Sequence, residues 1–454
     1  MGLLTLAVAA LQSCAAFMNY RLGFLLFVFF YATYPRLLAV GLGDQGFALT
    51  AQRIMLLMLL LLFGLRYIYG ASDVRRGMAI LWQESGTLIL FFGLLLSRVL
   101  GNLLTGRFDL SAIVSFVDET LFTLFLVLLA FSVIQTRRHV HMLLLVIVLS
   151  LLPNQIIACI EFVTQRSIFP ASLQVDFETS RSVGAMLEGG TRFGLYRVQG
   201  AFESPLKLMA VMVLTMPLTI YLRGITRKGF LRSLLTMILL LQPVVIFWTG
   251  SRTGIMMMLI VVMAYVYRFV KYRFGKLESA LLIFLMGSLA LMFLILTADS
   301  ILNNFLLGSE GSRSTTSRLV QYVLSYPLIK TSPLFGYGYA RNIVDVIDIN
   351  RMDGYYLRTV MEGGLVALTC LVMLFWRSLR KLGRLQNSGD YHLALSLRIS
   401  LCAMAIMMLA LNMGTSSFYT YLFFGLTLIL ERLARARVPQ PTPAVSRGLA
   451  APAV

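Results

Sequence analysis

The stretch HMLLLVIVLSLLPNQIIACIEFV, residues 141–163, decides the fold. It is almost wholly apolar, it follows the basic QTRRH that begins at Gln135, and it is long enough to cross a hydrocarbon core of ~30 Å as a helix. Similar runs recur along almost the whole chain. Of the 454 residues, 58% are hydrophobic and only 13% charged, a balance that excludes a soluble globular domain and indicates an all-α, polytopic integral membrane protein.

Hydropathy and loop charge together place spans at 22–40, 51–66, 79–97, 112–134, 141–163, 203–222, 232–248, 254–268, 278–297, 356–376, 395–411 and 416–431. This makes about twelve transmembrane helices. The net charge of +19 would suit a nucleic-acid partner, yet the Lys and Arg fall in short clusters between apolar runs, at RRG, QTRRH, RGITRKGFLR, RFVKYRFGK, RSLRKLGR and ERLARAR. All fall on one side, as the positive-inside rule requires of cytoplasmic loops, and no nucleic-acid partner is expected. Both termini are then cytoplasmic. Residues 1–20 carry no basic n-region and read as an uncleaved interfacial segment or an additional span.

Two long polar segments fall on the other side, 164–202 and 298–355. The second contains SRLVQYVLSYPLIK, with Arg318, Gln321, Tyr322 and Ser325 on one helical face and Leu319, Val320, Val323 and Leu324 on another, an amphipathic helix lying on the membrane. Cys14, Cys159, Cys370 and Cys402 lack CxxC or Cys/His spacing and read as buried thiols. His139, His141 and His392 all fall on the cytoplasmic side. No Walker, GxGxxG or HExxH motif is present, and neither a metal nor a cofactor is expected.

The chemistry gathers in four stretches on the outer side: YRVQGAFESPLKL (196–208), WTGSRTG (248–254), SRSTTSRLVQY (312–322) and NRMDGYYLRTVMEGG (350–364). Arg197 reads either as a headgroup anchor or as a phosphate clamp, since guanidinium offers a planar fork of donors matched to phosphate oxygens. Arg252 sits in a turn with hardly any loop and needs a partner at that depth; a snorkelling arginine is the plainer alternative. Arg313 and Arg318 complete the set. Asp353 suits a helix N-cap and equally a general base beside arginines. Arg358 and Glu362 stand at i and i+4 and can pair with each other, and Gly363 and Gly364 let another helix approach.

RVQGAFESP, TGSRTG, SRLVQYVLSYPLIKTSPLFGYG and DGYYLRTVMEGGLVAL resemble, in order and spacing, the O-antigen ligase and Wzy-type polysaccharide polymerase superfamily over residues 195–370. The resemblance implies a GT-C-like, metal-independent glycosyltransferase of the inner membrane. Its substrate would be a polyprenyl-diphosphate-linked, typically undecaprenyl-linked, glycan met at the periplasmic face. It further implies that Arg197 and Arg252 hold the diphosphate and that Arg318 lies near the glycan or lipid head, whereas Arg313 reads either as part of the set or as a solvated charge. Asp353 would be the base, with Glu362 supporting the substrate site from within the bundle. A chain-length regulator or export proteins would be partners. Ligases of this superfamily typically carry His, often His-Asn, where this chain has Asp353 and Gly354, which favours a polymerase over a ligase. Leu206 also replaces a frequent Asn. A transporter or flippase of the same lipid-linked sugars is the alternative from another class.

The organisation expected from these readings is an N-terminal helical region (1–163), an extracytoplasmic loop (164–202), a ligase/polymerase-like region (195–370) that includes the loop 298–355, C-terminal helices (371–437) and a disordered tail (438–454).

Overall fold

A computed structural model of the chain describes residues 2–35, 39–41, 48–106, 110–169, 191–192, 195–274, 281, 288, 309–339, 354–385, 390–411 and 417–436. It is a helical bundle with two short antiparallel hairpins, β1 (Ala39–Gly41) with β2 (Ala48–Thr50) and β3 (Thr191–Arg192) with β4 (Leu195–Tyr196).

The helices are α1 (Gly2–Met18), α2 (Tyr20–Thr33), α3 (Ala51–Ile68), α4 (Ser72–Gln83), α5 (Ser85–Leu104), α6 (Leu110–Thr120), α7 (Leu126–Val133), α8 (Arg137–Leu149) and α9 (Leu151–Thr164). They continue with α10 (Pro205–Ile225), α11 (Gly229–Trp248), α12 (Arg252–Phe274), α13 (Ser309–Thr331), α14 (Tyr355–Leu385), α15 (Tyr391–Ala410) and α16 (Ser417–Arg435). Among the described residues, 8 helical stretches are long and apolar enough to cross a membrane, and α1 and α2 are shorter apolar helices. The expected span 278–297 lies almost wholly outside the described residues, as does the tail 438–454.

Several boundaries differ from expectation for identifiable reasons. The first span stops at Thr33 rather than residue 40, just before Pro35, and starts where the Asn19 side chain accepts from the amides of Arg21 (3.0 Å) and Leu22 (3.3 Å). The expected span 79–97 divides at Glu84 into the amphipathic α4 and a span running on to Leu104. That span carries Arg98 inside it, because the bundle supplies carboxylates for the charge.

Helix α1 is packed antiparallel on α2: Gln12 Nε2 donates to the Gly23 carbonyl at 3.0 Å, and the Thr5 and Tyr34 hydroxyls bond at 2.8 Å. Thr5 therefore lies at the end of the bundle where Tyr34 and Gln52 meet, and Arg435 at the other. The cysteines are also less enclosed than expected: Cys14 is exposed and the other three are half-buried.

The ends of the bundle differ in chemistry. At one end Lys381 pairs with Glu84 (2.5 Å) and Glu431 (2.6 Å), Arg435 joins Glu431 (2.6 Å), and Arg137 pairs with Asp390. This is the end of the basic loops. Ser400 Oγ donates to the Leu214 carbonyl (2.7 Å) and Tyr265 links Ser396 to the Pro217 carbonyl, which makes α15 antiparallel to α10. The Tyr355 amide donates to the Leu411 carbonyl at 3.2 Å. The start of α10, the end of α15 and the start of α14 are thus gathered at the opposite end.

Helix α14 is interrupted at Gly364, whose backbone (φ 66, ψ −165) is not helical. A regular helix would pair the carbonyls of Met361 and Glu362 with the amides of Leu365 and Val366. Here the turn after α13 takes all four groups. Tyr337 N bonds Met361 O (2.8 Å), Gly338 N bonds Glu362 O (2.8 Å), Leu365 N bonds Pro333 O (2.8 Å) and Val366 N bonds Leu334 O (3.2 Å). No backbone polar group freed by the break is left unpaired. The glycine pair thus admits a loop, where a helix was expected. A β-carbon at Gly364 would lie 2.1 Å from Leu334 O, in a left-handed conformation. Gly364→Ala is expected to cost at least the ~1–3 kcal/mol of such strain and to lower the unfolding temperature in detergent; an unchanged temperature contradicts this docking.

Candidate functional site

Residues of these motifs fall in two clusters at the end of the bundle opposite the basic loops. The first is built on Glu161 near the end of α9. Its Oε2 accepts from the amides of Gln199 (2.8 Å) and Gly200 (2.9 Å), and Asn154 Oδ1 accepts from Ala201 N (3.0 Å). These acceptors fix an irregular segment, 197–201, whose backbone would otherwise be buried without partners. Gly200 has φ 61, and Ser204 caps α10 with Pro205 at its first position.

Held in this way, Arg197 Nε donates to Thr249 O at 2.8 Å and Val198 N to Trp248 O at 3.3 Å. The RVQG and TGSRTG motifs are thereby tied together, and Arg197 reaches the turn that ends in Arg252. Both arginines are half-buried. Burial and the nearby Glu161 carboxylate push the Tyr196 hydroxyl up to about 12, so it stays neutral and acts only as a hydrogen-bonding group at ordinary pH.

Glu161→Ala is expected to leave two buried amides unpaired, at ~1–3 kcal/mol each, and to raise amide exchange at Gln199 and Gly200 at least tenfold. Glu161→Gln keeps a carbonyl acceptor and restores most of the protection. Equal exchange in the alanine variant and the unmodified protein contradicts the role.

The second cluster lies between α5, α6 and α14. Arg98 pairs through Nη1 with Glu119 and through Nε with Glu362 (3.2 Å), and Glu362 accepts from Arg358 Nε at 2.5 Å. The side chains of Arg98 and Glu362 are 3% and 1% exposed, against 18% for Glu119 and 30% for Arg358. Among the described residues two cations and two anions balance, which makes their burial tolerable. The π-helical turn Leu121–Phe125 begins two residues after Glu119. Its neighbour Asp118 points elsewhere and pairs with Arg53 of α3 at 2.7 Å, so consecutive carboxylates serve two helices.

The docked turn closes over this cluster. Asn102 Oδ1 accepts from the Tyr339 amide at 3.2 Å, and a β-carbon at Gly101 would meet Phe335 O at 2.4 Å. Gly336 (φ 62) and Gly338 (φ 84) supply the backbone that FGYGY needs. Burial, reinforced by the Glu119 charge, pushes the Tyr339 hydroxyl well up.

The amphipathic helix is present as α13, but its faces are used in the reverse of an aqueous arrangement. Gln321 and Ser325 are buried against the protein, whereas Val320, Val323 and Leu324 are exposed, as is Tyr322. Apolar side chains therefore face outward, where lipid would be, and polar ones inward. A β-carbon on Gly354 would lie 3.7 Å from the Tyr322 hydroxyl and 3.3 Å from Leu409 O, which brings α13 to the start of α14.

Of the residues read from the sequence, Arg197 is tied to the turn that leads to Arg252, and Glu362 is buried between Arg98 and Arg358. Arg313 and Arg318 belong to α13, with side chains outside the described residues; Asp353 lies outside them altogether. Sequence reasoning missed Arg98, Glu119 and Glu161. A charge within an apolar run such as LLSRVLGNLL was the available signal for the first.

Fold and clusters together define a multi-pass helical membrane protein with arginines, held by buried carboxylates, at one end of its bundle. Residues 235–372 match the family model described as O-antigen ligase, Wzy_C, in agreement with the resemblance carried by the motifs. The matched segment contains Arg252, Arg313, Arg318, Asp353, Arg358 and Glu362, and leaves Arg197, Arg98 and Glu119 outside it. It supports a membrane enzyme of the O-antigen ligase or polymerase type, which transfers glycosyl groups. No curated protein matches the chain.

Proposed function

We propose that this protein polymerises polyprenyl-diphosphate-linked oligosaccharide repeat units into a surface or secreted polysaccharide at the outer face of the cytoplasmic membrane. The observation that carries this reading is the bond from Arg197 Nε to Thr249 O, which joins two arginine motifs at the end of the bundle where α14 begins. Fixed guanidinium groups there suit a diphosphate leaving group. Charge grows on it as the glycosidic bond breaks, so preorganised cations favour the transition state over the bound substrate. Asp353, next to Gly354 at the start of α14, takes the proton of the attacking sugar hydroxyl. The lipid diphosphate is already activated, so neither nucleotide nor metal has a part. Arg313 and Arg318 on α13 contact the glycan or lipid head, and the exposed apolar side of that helix rests in the bilayer.

The second reading is a ligase that transfers a finished glycan to lipid A core or protein. It is favoured by the description of the matching family, whereas Asp353 in place of His favours the polymerase.

Deletion separates the two. Loss of a polymerase leaves single lipid-linked repeat units, and loss of a ligase leaves long unattached chains. Repeat units accumulating on the cytoplasmic leaflet would instead indicate a transporter and overturn both.

A further inference from the structure

The second cluster contains an arginine, Arg358, that the proposed chemistry does not use and that the sequence shows only as a partner for Glu362. From its geometry we infer that Arg358 is a further anion-binding residue of the site, one that contacts the diphosphate of the lipid carrier. Arg98, Glu119 and Glu362 are positioning residues that set its guanidinium. The inference rests on the proposed glycosyl-transfer reading and adds a residue to it.

Four charges gathered among apolar helices, two of them fully enclosed, are a poor way to gain stability, because desolvation offsets most of their attraction and apolar replacements of similar volume are often as stable. Ionisable groups at such depth usually serve a site. The exposures give this cluster a direction. Arg98 and Glu362 are enclosed, and Arg358, at 30%, is the most open of the four. It stands in the first turns of α14, five residues after Asp353, at the end of the bundle where Arg197 and Arg252 lie.

Glu362 takes Arg358 through Nε, a contact that fixes the plane of the guanidinium. Glu362 is fixed in turn by Arg98, and Arg98 by Glu119. The Glu362 carbonyl also holds Gly338 of the docked turn, so the backbone that carries Glu362 is anchored as well. A guanidinium braced by a buried carboxylate meets phosphate oxygens with little ordering left to do.

Binding to the purified full-length protein in nanodiscs tests this, with sugar-free polyprenyl diphosphate as the probe and polyprenyl monophosphate and inorganic pyrophosphate as comparison arms. Pyrophosphate binding as strong as that of the polyprenyl diphosphate would show that the anion alone is recognised; tighter binding of the lipid would show that the carrier is the source. Either result supports an anion site if it depends on Arg358.

Arg358→Met leaves a net negative charge in the cluster and risks misfolding, so Arg358→Met with Glu119→Gln, which restores the balance of Arg98 and Glu362, is measured beside it. The expected result is at least a tenfold rise in Kd for the diphosphate in the balanced double variant, at an unfolding temperature close to that of Glu119→Gln alone. Arg358→Lys, which keeps the charge and loses the planar fork, recovers only part of the affinity. A double variant that binds as the parent does overturns the inference, and so does one whose lost binding tracks lost folding. If Arg252→Ala weakens binding while the Arg358 variants do not, this inference fails alone. If the unmodified protein binds none of the probes, the glycosyl-transfer reading fails with it.

Discussion

Arg98→Leu is expected to prevent the protein from accumulating in a folded state in the membrane. The Arg98 side chain is 3% exposed and is the shared partner of Glu119 and Glu362. Its removal leaves two carboxylates facing each other with only Arg358 to compensate. Breaking a buried ion cluster by deleting one member costs ~3–5 kcal/mol, because the remaining charge stays buried. That is a large part of the whole stability of a typical domain. Thermal unfolding and size-exclusion profiles in detergent provide the measurement. Arg98→Leu combined with Glu119→Gln leaves Glu362 paired with Arg358 and is expected to regain part of the loss. A single variant with a normal profile and unfolding temperature would show that the cluster is not what holds α5, α6 and α14 together.

Arg252→Ala and Asp353→Asn are expected to have the largest effects on activity, with little effect on folding. Arg252 begins α12 at a half-buried turn, and in the proposed mechanism it meets charge that develops on the leaving diphosphate. Deleting one preorganised donor of this kind slows turnover by ~10²–10³. Asp353→Asn removes the proposed proton acceptor and is expected to cost ~10²–10⁴. The assay is chain lengthening by pure protein on a defined lipid-linked repeat unit, followed as a glycan ladder. Polymer of normal length and rate from either folded variant would remove that residue from the mechanism.

The sequence made the membrane class legible because apolar length and loop charge are direct consequences of the bilayer as solvent. The motifs around Arg197 and Arg252 were legible as well, and the bond from Arg197 to the Thr249 carbonyl ties them together. What hydropathy could not supply was pairing. The expected span 79–97 stops one residue short of Arg98, a charge that is costly in lipid, and the carboxylates of Glu119 and Glu362 make it an interior residue. Glu161 was passed over for the same reason, since its partners are backbone amides of a segment distant in sequence.

Periodicity divided α13 into two faces without saying which face meets what, and burial assigns Gln321 and Ser325 to the protein. The glycine pair in MEGGL announced a close approach. That the approaching element is the turn 333–338, taking over four helical hydrogen-bonding groups, depends on tertiary structure and left no mark in the local pattern.

The central claim is that the arginine motifs and the start of α14 share one aqueous site on the outer side of the membrane. Single-cysteine labelling tests it most directly, using a membrane-impermeant maleimide on sealed cells after replacement of Cys14, Cys159, Cys370 and Cys402. Thr164→Cys at the end of α9 and Lys330→Cys at the end of α13 are expected to react from outside, and Arg223→Cys at the end of α10 only after permeabilisation. Labelling of positions 164 and 330 from opposite sides would separate the motifs and contradict the account.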